Sequence, residues 1–140
     1  MTIDPAVCRQ MWERLRAESP REACGVLVDQ RGIGVFDRLY ECANHAPDPT
    51  KEFWMNPHEL LFLTARLRPD QQRATWHSHP TSRWTLSGED RYLMKMTGLP
   101  MAVVATMPYP SVSLYEWSAA GILLTQRIRI QEAPHVEDAV

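Results

Sequence analysis

Short β-branched apolar runs alternate with helix-type segments along this chain, and this alternation limits the fold more than any other feature. The runs predicted as strands are residues 24–29, 33–40, 73–77, 101–107, 112–117 and 122–130. Strand and helix periods mixed in this way favour a sheet covered by helices. A length of 140 residues suits one core. We therefore predict one α/β or α+β domain over residues 1–130, followed by a polar tail over residues 131–140.

Helix caps mark three segments. Asp4 with Pro5 begins a helix that Ser19-Pro20 ends, Asn56 with Pro57 begins a helix ending near Arg68-Pro69, and residues 87–97 form a helix closed by Gly98. In the second helix, Leu60, Leu63, Thr64 and Leu67 recur at helical spacing and predict one buried face.

Composition excludes several classes of partner. The formal charge of -2 lacks the positive footprint of a nucleic-acid binder, so we predict no nucleic-acid partner. The apolar stretches are shorter than the ~20 residues that cross a bilayer, which predicts no membrane span and a cytoplasmic location. The three cysteines, Cys8, Cys24 and Cys42, show no CxxC spacing and favour a reducing compartment. Nothing in the sequence predicts a particular oligomeric state.

The sequence His77-Ser78-His79-Pro80 is the most informative stretch for chemistry. Residues two apart on a strand share a face, so His77 and His79 can offer two imidazoles to one metal ion. Asp90, in the first turn of the next predicted helix, can add a carboxylate. Three protein ligands leave the open position of a catalytic zinc site. A histidine pair taken alone is more often a hydrogen-bonded core or surface pair.

Two further residues have both a structural and a catalytic interpretation. Ser87 and Asp90 have the spacing of a capping box, which by itself explains them. Glu22 directly precedes an apolar run, where an ionised carboxylate is costly unless it is paired or bound. An ion pair with Arg21 or Arg38 is one explanation. The other is a general base beside a zinc-bound water.

Taken together, these residues resemble the signature of the JAB/JAMM (MPN-plus) zinc metalloproteases, a family of deubiquitinase-like isopeptidases. That signature is an upstream Glu, then His-Ser/Thr-His-Pro, then Ser-x-x-Asp at a fixed distance. The chain fills it with Glu22, His77, Ser78, His79, Pro80, Ser87 and Asp90. The stretch Pro20 to Gly25 resembles the Pro-x-Glu-x-Cys-Gly segment that carries the family's catalytic Glu. The stretches Asn44 to Pro49 and Phe53 to Pro57 resemble those of compact prokaryotic and phage members of the family.

The resemblance implies a fold and a site. It implies a mixed central sheet covered by helices, the JAB/MPN architecture, which is similar to that of cytidine deaminases. It implies one catalytic zinc ion with His77, His79 and Asp90 as ligands. It also implies that Glu22 is the general base and that Ser87 stabilises the oxyanion.

The function implied by the resemblance is hydrolysis of the amide bond after the C-terminal tail of a ubiquitin-like or sulfur-carrier protein. Trp84, Phe53 and Trp54 are the predicted substrate-binding residues, although Trp84 equally suits a role in covering core apolar surface. The alternative is a phage tail-assembly component of the same domain type, with a structural or processing role. A deaminase is disfavoured, because the chain lacks the His-x-Glu and Pro-Cys-x-x-Cys motifs.

Overall fold

The computed structural model describes residues 1–131 of the chain. Its elements are β1 (Thr2–Ile3), α1 (Pro5–Glu18), β2 (Cys24–Val28), β3 (Val35–Phe36), β4 (Arg38–Cys42), α2 (Pro57–Thr64), β5 (Arg73–Arg83), α3 (Gly88–Thr97), β6 (Met101–Met107), β7 (Ser111–Ser118) and β8 (Gly121–Arg129). Six strands form one sheet in the order β4-β2-β5-β6-β7-β8. Only the β5–β6 pair within that sheet is parallel. This mixed sheet with its helices confirms the predicted α/β class; of the predicted tail, residues 132–140 lie outside the described residues.

The two faces of the sheet carry separate clusters of core residues. On one face, α1 buries Val7, Met11 and Leu15 in a cluster that includes Trp76 of β5. On the other face, Met94 of α3 packs in a smaller cluster with residues of β6 and β7. Alternation along β5 therefore directs Trp76 to the α1 face and His77 to the α3 face.

The local signals located the helix starts correctly. Asp4 accepts a hydrogen bond from the Ala6 N–H, and Asn56 accepts one from the His58 N–H, each at 2.8 Å. Gly98 ends α3 in the left-handed conformation, with φ of 67°. These caps confirm the predicted beginnings of α1 and α2 and the end of α3.

Two predicted elements differ from the structure because tertiary pairing overrides the local pattern. The run predicted as one strand at residues 33–40 is divided: β3 pairs with β1, whereas β4 pairs with β2. Asp37 lies at the break, where its side chain accepts a hydrogen bond from the Gln30 N–H at 2.9 Å. β5 extends beyond the predicted residues 73–77 to Arg83, because its outer part also pairs with β6.

The second helix is shorter and less covered than its apolar pattern predicts. α2 ends at Thr64, and none of its residues is fully buried. The predicted face at Leu60 and Leu63 is half-buried. Leu61 and Phe62 remain 64% and 60% exposed. The prediction of a buried face was therefore wrong in degree, because the packing of α2 against β2 covers its apolar side chains only in part.

Gly25 provides a test of the packing between the central strands. The indole N–H of Trp76 donates to the Tyr40 carbonyl at 3.0 Å, directly over Gly25. A Cβ at Gly25 would lie 1.9 Å from that carbonyl oxygen and 2.6 Å from Trp76 Nε1. We expect Gly25→Ala to lower the free energy of unfolding by about 3 kcal/mol, the upper end for overpacking, in a urea titration.

Gly88→Ala is the matched control, because no heavy atom lies within 4 Å of its added Cβ. We expect it to leave stability unchanged or to raise it by up to about 1 kcal/mol. Equal unfolding midpoints for the two variants would contradict the tight contact at Gly25.

Candidate metal centre

Two histidines from the central strand form the floor of the site. His77 and His79 lie on the α3 face of β5 and are only 0% and 8% exposed. Their Nε2 atoms are 3.0 Å apart. The ring of Phe53 stacks on His77, with 4.4 Å between ring centroids. Both imidazoles are thus held with one nitrogen directed at a common point.

Asp90 approaches the same point from the first turn of α3. Its Oδ1 lies 3.0 Å from His77 Nε2, and its Oδ2 lies 3.3 Å from His79 Nε2. The same carboxylate accepts a hydrogen bond from the Ser87 N–H at 2.9 Å, and Ser87 Oγ accepts one from the Asp90 N–H at 3.1 Å. The capping box predicted as the structural explanation is therefore present, and it holds the Asp90 carboxylate against the histidines.

Glu22 reaches the site from the segment between α1 and β2. Its carboxylate and the ring nitrogens of His77 and His79 all lie within 4.8 Å of one another. Glu22 is 9% exposed. Among residues 1–131, neither Arg21 nor Arg38 forms an ion pair with it, so the structure favours the interpretation that places Glu22 in the site.

The sequence analysis gave Ser78 no structural role. In the structure, Ser78 connects the segment that carries Glu22 to the strand that carries His77 and His79. Ser78 lies between the two histidines and is 0% exposed. Its Oγ accepts a hydrogen bond from the Ala23 N–H at 2.7 Å, and its own N–H donates to the Ala23 carbonyl at 2.9 Å. Because Ala23 follows Glu22, these two bonds hold the Glu22 segment beside the histidine strand. A hydroxyl on the opposite face of a strand from two ligand-type residues is the signal that points to such a link.

Burial and mutual contacts change the protonation of these groups. Burial, the largest effect, raises the pKa of Glu22 to about 7; the charge of His79 opposes this shift, and that of Asp90 adds to it. Burial also lowers the pKa of His77. For Asp90, burial acts to raise the pKa, but the contacts with His77 and His79 hold it well below its usual range. The site thus keeps Asp90 ionised and holds Glu22 near the point of proton exchange at neutral pH.

A hydrogen bond behind His79 selects its tautomer. His79 Nδ1 lies 2.7 Å from the Arg83 carbonyl oxygen. A carbonyl only accepts, so Nδ1 carries a proton, and Nε2 is the ring nitrogen that faces the site. Burial acts to lower the pKa of His79, but the hydrogen bonds to Asp90 and Arg83 outweigh it and raise the pKa. Metal-binding histidines are commonly oriented by such a bond.

The donor set fits a zinc ion. Zinc bonds of about 2.0–2.1 Å to nitrogen and oxygen, arranged tetrahedrally, separate neighbouring ligand atoms by about 3.3 Å. His77 Nε2 lies 3.0 Å from His79 Nε2 and 3.0 Å from Asp90 Oδ1, and His79 Nε2 lies 3.3 Å from the other carboxylate oxygen, Asp90 Oδ2. Two imidazoles and one carboxylate are also a donor set that catalytic zinc accepts.

The site opens into a pocket of about 760 Å³. Its lining includes Glu22, Phe53, Trp54, His79, Ser87 and Asp90. The structure thus gathers around one pocket all the predicted site residues except His77, which lies beneath Phe53, and Trp84.

Trp84 lies away from the pocket. Its side chain packs against the core cluster below α3. The guanidinium carbon of Arg127 lies 4.3 Å from the ring centroid of Trp84. This placement corresponds to the interpretation in which Trp84 covers core apolar surface.

Comparisons with known proteins agree with this fold. A sequence model of the Prok-JAB family, the prokaryotic homologs of the JAB domain, matches residues 4–119. A solution structure of a protein from Desulfitobacterium hafniense is 23% identical, covers 89% of each chain and gives a TM-score of 0.69. The crystal structure of a JAB1/MPN domain protein from Archaeoglobus fulgidus is 19% identical, covers 83% of this chain and 89% of its own, and gives a TM-score of 0.56. A solution structure of a protein from Salinibacter ruber is 17% identical, covers 96% of this chain and 95% of its own, and gives a TM-score of 0.60.

The fold and the site together define a domain of the JAB/MPN class. The chain belongs to the Prok-JAB family, whose sequence model spans most of its length. No curated protein matches it in sequence. None of the helices among residues 1–131 has the length and apolar character needed to cross a membrane.

The capping box supplies a stability test of the site. Ser87→Ala removes the oxygen that accepts from the Asp90 N–H, and we expect it to lower the free energy of unfolding of the metal-free protein by about 1 kcal/mol. Ser87→Thr keeps a capping hydroxyl and should lower the free energy of unfolding less than Ser87→Ala does. Denaturant titrations measure both effects.

Ser82→Ala is the matched control, since Ser82 is an exposed serine lining the same pocket. Ser82→Ala should change the free energy of unfolding by no more than about 0.5 kcal/mol. A Ser87→Ala protein as stable as Ser82→Ala would show that the cap contributes nothing.

Proposed function

We propose that this protein is a zinc-dependent peptidase or isopeptidase. It hydrolyses the amide bond that follows the C-terminal tail of a ubiquitin-like or sulfur-carrier protein. The observation that carries the proposal is the cluster of two imidazole nitrogens 3.0 Å apart, each within 3.3 Å of one oxygen of the Asp90 carboxylate, beside Glu22 and next to an open pocket.

Three residues would hold the metal. His77, His79 and Asp90 present two nitrogens and a carboxylate, and a bound zinc ion lowers the pKa of water to about 7 and polarises a carbonyl. Asp90 enters already ionised, and the hydrogen bond to the Arg83 carbonyl leaves His79 Nε2 free as a ligand atom. These features prepare the residues to bind a cation.

Glu22 is placed to move the proton. Its carboxyl has a pKa raised by burial to about 7, so it can accept a proton from the attacking water near neutral pH. The same group then returns that proton to the departing amine, which leaves as a neutral molecule. Glu22 is unchanged after one cycle.

Ser87 is placed to support the carbonyl oxygen of the scissile bond. Its Oγ accepts a hydrogen bond from the Asp90 N–H, so its own hydrogen remains available to donate into the pocket. A donor at the oxygen where negative charge develops stabilises the transition state. Capping of α3 and catalysis therefore use different parts of one hydroxyl.

The pocket supports an extended protein segment as the substrate. Phe53 and Trp54 form one wall, and the first turn of α3, with Ser87 and Glu89, forms another. A flexible C-terminal tail can lie between these walls, with its last carbonyl near Ser87. The choice of a ubiquitin-like or sulfur-carrier tail rests on the resemblance to the JAMM isopeptidases.

Metal content and cleavage test the proposal together. Wild-type protein should bind one zinc ion per chain and cleave a panel of ubiquitin-like and sulfur-carrier fusions that carry a C-terminal extension. Asp90→Ala should lose both properties. Glu22→Gln should retain zinc while kcat falls about 10²–10⁴-fold, the usual contribution of a general base. Elemental analysis and a gel-based cleavage assay give the two readouts.

Glu89→Ala is the matched control for Asp90→Ala, because Glu89 is the exposed acid beside it in the same helical turn. It should retain zinc. A wild-type protein without zinc would refute the metal centre, whereas zinc binding with no cleavage of any fusion would refute the peptidase. Loss of zinc from Glu22→Gln, with retention by Asp90→Ala, would reverse the assigned roles.

A further inference from the structure

The side-chain amide of Asn44 binds several backbone carbonyls at once. Asn44 Nδ2 donates to the carbonyl oxygen of Glu22 at 2.9 Å and to that of Glu52 at 2.9 Å. It also lies 3.4 Å from the carbonyl oxygen of Pro49. One half-buried side chain thus connects the segment that carries Glu22 to the loop between β4 and α2, residues 43–56.

The other end of the same amide organises the loop internally. Asn44 Oδ1 accepts hydrogen bonds from the Ala46 N–H at 3.0 Å and the Trp54 N–H at 3.1 Å. The His45 N–H donates to the Trp54 carbonyl at 2.9 Å and closes the loop at the same place. The residues of the pocket wall, Phe53 and Trp54, are therefore held by the group that also holds the Glu22 carbonyl.

Glu22 depends on this loop for both of its backbone polar groups. Its N–H donates to the Pro49 carbonyl at 2.6 Å, and its carbonyl accepts from Asn44 Nδ2. Glu22 precedes β2, so no strand pairing fixes its backbone. Beyond the neighbouring link between Ala23 and Ser78, the loop around Asn44 is what sets where the Glu22 carboxylate stands.

We propose that Asn44 is the positioning residue for Glu22, acting through the backbone of Glu22 and coupling it to the Phe53–Trp54 wall of the pocket. Only a carboxamide supplies donors and an acceptor on one short planar group, which this arrangement requires. The inference rests on the proposed function for its effect on catalysis, but the placement of Glu22 by Asn44 is measurable without any substrate.

The alternative is that Asn44 only stabilises the loop. In that case its loss lowers stability and weakens substrate binding through the pocket wall, raising KM, while the chemical step at saturating substrate is unchanged. A positioning role instead lowers kcat, because a displacement of about 1 Å in a reacting group costs on the order of 10²-fold in rate. The separation of kcat from KM therefore distinguishes the two roles.

The test uses Asn44→Asp in the zinc-loaded, full-length protein. This variant keeps the acceptor oxygen but loses both donors, and Asn44→Ser loses them without adding a charge. Asn56→Asp is the matched control: it makes the same change in charge at a nearby asparagine that serves only as an acceptor, from the His58 N–H at 2.8 Å. Zinc content, kcat, KM and hydrogen exchange at the Glu22 amide are measured for each.

We expect both Asn44 variants to retain zinc and to lose about 10- to 100-fold in kcat. KM should change little in Asn44→Asp, which keeps the oxygen that accepts from the Trp54 N–H. The Glu22 amide should exchange about tenfold faster or more, as expected when its hydrogen-bonded partner loop opens more often. In a Glu22→Gln background, Asn44→Asp should have no further effect on kcat, because the group through which it acts is already absent. Asn56→Asp should match wild type in every readout.

If the Glu22 amide exchanges at the wild-type rate in both Asn44 variants, the inference is overturned, whether or not a substrate is cleaved. Faster exchange with unchanged kcat overturns it too, since Asn44 is then a purely structural residue. If wild-type protein cleaves no fusion, the proposed function fails separately, and an unchanged exchange rate at the Glu22 amide in both Asn44 variants still overturns the inference.

Discussion

The alternation of side chains along β5 is the constraint on which the structure depends. Trp76 enters the core beneath α1, whereas His77 and His79 emerge on the α3 face. Ser78, which points away from the histidines, binds Ala23 in the segment that carries Glu22. One strand can place Trp76 in the core, the two candidate metal-binding histidines in the site and Ser78 against Ala23 only if its pairing register is unique. Burial on both faces enforces that register, because a slip of one residue would place imidazoles in the core.

The site also shows how a buried carboxylate is tolerated. An ionised Asp90 is costly in the interior, and two imidazole nitrogens and the Ser87 N–H offset that cost. Among residues 1–131, no such set of donors contacts the Glu22 carboxylate, and burial raises its pKa to about 7. Two acids within one pocket thus differ in protonation because their hydrogen-bond partners differ. One is suited to bind a cation and the other to exchange a proton.

Much of the fold and of the candidate site was predictable from local signals. The caps at Asp4, Asn56 and Gly98 are decided by a few neighbouring residues, and the His77/His79 pair follows from strand periodicity. The sequence failed, or left two interpretations open, where contacts between residues distant in the chain determine burial. The apolar pattern of α2 predicts a buried face at Leu60, Leu63, Thr64 and Leu67, but these four side chains are only half-buried. The sequence left Trp84 open between substrate binding and cover of core apolar surface, and the structure packs it against a core cluster.

The amino-acid sequence by itself determined the class of domain and the helix boundaries set by caps, and it supplied the candidate residues for the proposed chemistry. These are properties of spacing and residue type. Only the tertiary structure decided that Glu22, 55 residues before His77, stands beside the histidines. It also decided that Asn44 ties the pocket wall to the Glu22 backbone. Such contacts require the ends of long loops to meet, and they are specified by hydrogen-bond partners that are remote in sequence and adjacent only after the sheet has formed.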